Sequence, residues 1–196
     1  MRKAIFVVGP ESSGTRMMTQ FFIRAGYEGD HGHSQPWDDL VFRKYPDNIV
    51  FRQSMPHGNR WVDIVGIIQG MQKANYTPYG IVMWRDPRYM ALSQVKAGHS
   101  ANTGQALNKI RQAILHIDTA FDDLGWRPTL IIYEKFVEMP EYQKAIHGLH
   151  SQLDYDPMEF KNANQKYTRS DLRGLNDKNL KMIAEELGRA KAFRGA

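Results

Sequence analysis

The chain contains no cysteine, which excludes disulfides and thiolate metal centres. It has no apolar run near the roughly 20 residues of a membrane span, and residues 4–8 are too short for the core of a signal peptide. A cytoplasmic protein is therefore expected. Low-complexity tracts and internal repeats are also missing. With 42% hydrophobic and 11% aromatic residues in a chain of 196, composition predicts one folded domain over residues 1–196 rather than a disordered polymer. Charge is not one-sided either: 26 Lys and Arg against 21 Asp and Glu leave a net charge of +5. That balance suits a polyanionic ligand such as a nucleotide or glycan. The basic residues are scattered among acids rather than striped, which argues against nucleic acid as a partner.

What is present begins at the first residues. The apolar run Ala4-Ile5-Phe6-Val7-Val8 breaks into Gly9-Pro10-Glu11-Ser12-Ser13-Gly14-Thr15-Arg16 and resumes at helical spacing with Met17, Met18, Phe21, Phe22 and Ala25. This reads as a buried strand, a small-residue loop and a helix start, the arrangement that cradles phosphate. Gly9 and Gly14 permit tight backbone geometry, while Ser12, Ser13 and Thr15 add hydroxyls beside the free amides of a helix N-terminus. The spacing from Gly9 to Gly14 is that of GxxxxGK[ST], yet Thr15 stands where that motif has lysine and Arg16 where it has Ser or Thr. The plain alternative is an ordinary strand-to-helix turn with a Ser or Thr cap.

Further elements alternate along the chain. Residues 27–47 are rich in His, Gly, Asp and Pro, with a short possible helix at 37–45; so long a connection in a compact domain is usually functional. A second strand is expected at 48–51 and a helix carrying Trp61, Val62, Ile64, Val65, Ile68 and Met71. A third strand at 79–84 runs into Arg85-Asp86-Pro87, where Asp86 can cap a helix whose first residue is the proline. That helix extends to Gly98, and a longer one presents Leu107, Ile110, Ile114, Ile117, Phe121 and Leu124 on one face. A fourth strand is expected at 128–133, with helices at about 140–153 and 176–188. This alternation predicts an α/β fold: three α/β/α layers around a mainly parallel sheet of four to five strands, with ligands at the carboxyl ends.

These motifs resemble the sulfotransferases that use 3'-phosphoadenosine-5'-phosphosulfate (PAPS), whose fold is akin to the P-loop kinases. Ser13-Gly14-Thr15 matches the core of the family's loop for the 5'-phosphosulfate. Arg85 and Ser93, eight residues apart with Asp86-Pro87 between, have the placement of the family's arginine and serine for the 3'-phosphate. Leu130 to Val137 is similar to a late family strand, which gives Tyr133 and Glu134 a structural role. Asn164-Gln165-Lys166-Tyr167 resembles the basic segment that folds over the cofactor, so Lys166 and Arg169 become further 3'-phosphate contacts. The resemblance implies a sulfotransferase that binds PAPS and 3'-phosphoadenosine-5'-phosphate (PAP) through Ser12, Ser13, Gly14, Thr15, Arg16, Arg85, Ser93 and Lys166. The acceptor would be a hydroxyl or amine of a small molecule or glycan, and no metal is required.

Two positions depart from the family pattern. Ser12 stands where most members have lysine or arginine, and Arg16 is the nearby cation that could replace it. Ser54 stands where many members have the catalytic histidine, and His57 follows three residues later as the proposed base. His31 and His33, with Asp30, Asp38 and Asp39 nearby, read as an acceptor-binding loop with a fallback base, or as metal ligands. Glu11 sits oddly beside an anion and needs either to turn away or to meet a cation such as Arg88. The competing readings are a P-loop kinase using ATP and magnesium, with Asp86 at a metal-holding strand end, and a non-catalytic nucleotide binder.

Overall fold

The computed structural model describes residues 2–29, 48–57, 60–150, 158–173, 175 and 177–193. Five strands, β1 (Arg2–Pro10), β2 (Glu28–Gly29), β3 (Ile49–Met55), β4 (Tyr76–Trp84) and β5 (Thr129–Ile132), form one sheet in the order β2-β3-β1-β4-β5. Every pairing is parallel. The central strand β1 is buried on both sides, which is why residues 4–8 read as a continuous apolar run rather than an alternating one.

The pleat of β1 sorts its side chains between two cores. Ile5 and Val7 face α1 (Thr15–Arg24), whose Met18, Phe21 and Phe22 share one helical face. Ala4, Phe6 and Val8 face the opposite layer, built from α2 (Ile64–Lys73), α3 (Pro87–Lys96) and α4 (Thr103–Asp123). The face of α4 read from the sequence is the buried one: Leu107, Ile110, Ile114, Ile117 and Phe121 all enter this core. Gly80 admits Phe121, since a Cβ there would lie 2.7 Å from its Cε1. The first core also takes Phe136 from α5 (Tyr133–Glu138) and Ile146 from α6 (Pro140–His150). Helices α7 (Arg169–Arg173) and α8 (Asp177–Arg189) follow, and Ile183 of α8 completes the second core.

Strand β4 begins at Tyr76, three residues earlier than expected, and β2, α5 and α7 are elements the sequence reading did not contain; three further boundaries also differ. Strand β3 continues through Arg52, Gln53 and Ser54 to Met55, pairing with Val7 to Pro10 of β1; the polar residues hid a strand whose carboxyl end serves the site. Helix α2 starts at Ile64 because the Asp63 carboxylate caps it, accepting from the Gly66 amide at 2.8 Å. Strand β5 stops at Ile132, opposite Trp84, the last residue of β4. With no further ladder to join, the chain turns at Tyr133 into α5. Asp86 caps α3 with Pro87 at its first turn, as read from the sequence. The possible helix at 37–45 and the last residues of the helix expected at 140–153 lie outside the described residues.

Connections from β1 lead towards β2 and β3, and those from β4 lead to β5 on the other side. They diverge between the carboxyl ends of β1 and β4, the crevice where open α/β sheets bind ligands. No helix among the described residues is long and apolar enough to cross a membrane.

At the other end of β1, His150 closes α6 as a buried imidazole against the rings of Phe22 and Tyr79. Among the described residues neither ring nitrogen has a hydrogen-bond partner. Burial, with the nearby Lys3 cation, holds its pKa down from the usual 6.5 to about 4. Between these values the unfolded chain binds a proton that the folded one refuses, so stability present above pH 6.5 is lost as pH falls towards 4. Thermal unfolding followed from pH 7 to 4 should show a falling midpoint, with His150 contributing up to about 1.4 kcal/mol per pH unit within that window. His150→Phe should make the fall shallower; an equal slope in the two proteins would contradict the assignment.

Candidate functional site

Residues 11–14 connect β1 to α1 in a tight path that two positive-φ residues make possible, Ser12 at 71° and Gly14 at 103°. A Cβ on Gly14 would lie 2.7 Å from Cδ2 of Tyr133, so both the backbone angle and the space favour glycine. Gly14 is also the N-cap of α1, and no side chain caps that end. The Ser or Thr cap of the plain alternative is absent. The hydroxyl of Thr15 instead meets that of Ser54 at 2.8 Å, and the Arg52 Nη1 donates to Ser54 at 3.4 Å.

One cleft of about 620 Å³ gathers most of the residues singled out in the sequence. Its lining includes Ser12, Gly14, Thr15 and Arg16 from the loop and α1, His57 beyond β3, Arg85 at the end of β4, Ser93 on α3 and Lys166 on a 3-10 turn (Ala163–Lys166). Arg169 is not in its lining. Ser13 stands apart: its side chain is fully buried beneath the loop, close to Gly9, and its amide donates to the Pro10 carbonyl at 3.0 Å. Any part it takes in ligand binding is through the shape of the loop. Asp30, His31, His33, Asp38 and Asp39 lie outside the described residues.

Arg85 is 4% exposed and sits at the centre of a network that sequence reasoning did not supply. Its Nη1 donates to the Ser12 carbonyl at 3.0 Å and its Nε to Asn164 Oδ1 at 2.7 Å. The guanidinium carbon lies 4.8 Å from the centre of the Tyr133 ring. Asn164 donates onward to Glu134 Oε1 at 2.9 Å, and the same oxygen accepts from the Asp86 amide at 3.1 Å. Tyr133 and Glu134 thus have the structural role read for them, and the Tyr133 ring lines the cleft as well. Nη2 of Arg85 is buried without a partner, and no carboxylate forms an ion pair with this guanidinium among the described residues. Burial pulls its pKa down, while Tyr133, Tyr167, Glu134 and Asp86 pull it back up. The cation persists, since arginine is not deprotonated in proteins.

Glu11 supplies the opposite charge. Its carboxylate is buried, and Oε1 faces His99 Nδ1 at 3.6 Å and His57 Nδ1 at 3.7 Å. Burial raises its pKa; His99, His57, Lys109 and Arg52 act against that rise. The partner suggested by the sequence, Arg88, is engaged elsewhere, paired with Asp86 in its own helical turn. Asp86 in turn lines a different cavity, of about 590 Å³, against α8. No group of three His, Asp or Glu side chains that could hold a metal ion occurs among the described residues.

The cleft can therefore accept an anion at Arg85 and the open start of α1, and a proton at the imidazoles beside Glu11. The parts that Asn164, Gln94 and His99 play escaped the sequence reading because their partners are 79, 83 and 88 residues away. Compared with models of protein families and with curated proteins, the chain matches none.

Removing the amide of Asn164 leaves Arg85 Nε without its acceptor. Asn164→Ala should lower unfolding stability by about 1–3 kcal/mol in urea. A change below about 0.5 kcal/mol, the size of an ordinary surface substitution, would show that the network does not hold the site together.

Proposed function

We propose that the chain is a PAPS-dependent sulfotransferase with the P-loop-like fold of that family. The carrying observation is Arg85: a buried guanidinium satisfied by two neutral oxygens, with one nitrogen left over, beside a cleft that also receives the loop, Ser93 and Lys166. A buried cation without a carboxylate is costly, and a bound phosphate or sulfate would relieve that cost. On this reading Arg85, Ser93 and Lys166 hold the 3'-phosphate. Gly14, Thr15 and Arg16 receive the 5'-phosphosulfate, with Ser12 and Ser13 shaping the loop.

Bound PAPS supplies an activated sulfuryl group, and the protein contributes position and charge. Arg16 is the cation in the loop's first helical turn, replacing the basic residue that Ser12 does not provide. His57, in the cleft and half exposed, takes the proton from the attacking hydroxyl or amine. The buried Ser54 is bonded to Thr15 and so supports the loop instead of serving as base. A kinase reading has less support: the loop lacks its lysine, and Asp86 is tied to Arg88 beside the other cavity. The acceptor remains a hydroxyl or amine compound of small-molecule or glycan type.

PAP should raise the thermal midpoint where ATP with magnesium does not; the reverse pattern would sink the proposal. Lys166→Ala should weaken PAP about tenfold, roughly 1.4 kcal/mol, yet leave binding of adenosine 5'-monophosphate unchanged, since only PAP carries the 3'-phosphate. Equal losses for both nucleotides would place Lys166 elsewhere.

Transfer of labelled sulfate to a panel of hydroxyl and amine acceptors should fall about 100-fold in His57→Ala with PAP binding retained. Near wild-type turnover in that variant would remove His57 as the base, and PAP binding with no turnover in the wild type would favour a non-catalytic binder.

A further inference from the structure

Glu11 belongs to no part of the phosphate-binding reading, yet it is among the most firmly placed residues of the cleft. Its amide donates to the Met55 carbonyl at 3.0 Å, and its carbonyl accepts from Gln94 Nε2 at 2.9 Å. Gln94 is itself met by the Ser100 hydroxyl at 3.3 Å. The backbone at this point is thereby tied to β3 on one side and α3 on the other.

The backbones that carry the two imidazoles are placed just as independently. His57 pairs with Arg60 through both backbone groups at 3.1 Å. His99 donates its amide to Gln94 at the end of α3, and its carbonyl accepts from Lys109 Nζ at 2.7 Å. Both rings turn Nδ1 towards the same carboxylate oxygen, at 3.7 and 3.6 Å, and both line the cleft. In an imidazole the partner of one nitrogen sets the protonation of the other. A carboxylate oxygen this close to Nδ1, just beyond hydrogen-bond reach, favours Nδ1–H electrostatically and leaves the Nε2 lone pair free.

From this geometry we infer that Glu11 is a positioning residue shared by His57 and His99, which holds both as Nδ1–H tautomers with Nε2 available as a base. His99 thus becomes a second proton acceptor that the motif-based reading did not contain. The inference rests on the proposed transfer in one respect, the use made of Nε2. There the acceptor's O–H or N–H proton passes to Nε2 as its heteroatom bonds to sulfur, the bond from sulfur to the bridging oxygen breaks, and PAP leaves with the electron pair. The groups facing Glu11 are His57 beyond β3, His99 beyond α3, Arg52 of β3 and Lys109 of α4.

Nitrogen-15 NMR of the full chain labelled at histidine tests this without knowledge of the acceptor, with His57→Gln and His99→Gln spectra assigning the signals. At about pH 8 both rings should show the Nδ1–H tautomer; the Nε2–H form at either ring would overturn the inference. Glu11→Leu, which removes the acceptor, should relax the Nδ1–H preference at both rings, and unchanged tautomers would equally overturn the inference. If that variant does not fold, the wild-type tautomers decide. PAP-induced stabilisation should survive Glu11→Gln, whereas its loss in that variant would give Glu11 a role in nucleotide binding instead. Failure of PAP to bind the wild type would instead count against the proposed function and leave the tautomer result standing.

Discussion

A guanidinium buried at the end of a central strand must recover from protein oxygens what it loses from water. Arg85 recovers it from the Ser12 carbonyl and the Asn164 amide, while the Tyr133 ring covers one face of its plane. These contacts join the carboxyl ends of three parallel strands to a 3-10 turn near the other end of the chain. Ser12 is held at positive φ partly through the bond that Arg85 makes to its carbonyl. Such backbone strain persists only where its surroundings over-determine it. The loop, the strand end and the C-terminal turn therefore stand or fall together, and the nitrogen left over is the part available to a ligand.

Electrostatics divide the cleft by chemistry. Arg16, Arg52, Arg85 and Lys166 give it positive character suited to phosphate and sulfate, yet Glu11 is buried in the same wall. That acid is tolerated because two imidazoles and two more distant cations oppose the cost of its burial. The same carboxylate faces both imidazoles, and a fixed carboxylate is an ordinary means of orienting an imidazole.

Legibility in the sequence followed the range of the forces involved. The run from Ala4 to Val8, the helical face from Leu107 to Phe121 and the Asp86-Pro87 cap are signalled by residues close in the chain, and they appear where periodicity put them. The strand ends that differed were set by pairing, whereas α2 starts where the Asp63 cap puts it. Strand β3 extends through polar residues because β1 lies beside it, and β5 ends at Ile132 because β4 ends at Trp84. Within the site, Gly14, Arg16, Arg85, Ser93 and Lys166 could be named from local motifs and do meet at one cleft. Ser13 shares the motif, but close packing above Gly9 takes its side chain out of the lining.

By itself the sequence determined an α/β chain with a small-residue loop after its first strand and an arginine at the end of a later one, because strand burial, helix faces and caps are local chemistry. The tertiary structure alone decided who meets whom. Asn164 finds Arg85 across 79 residues, and Glu11 finds His99 across 88. Parallel pairing carries distant loops to the same edge of the sheet, and no pattern within a loop records which others arrive there.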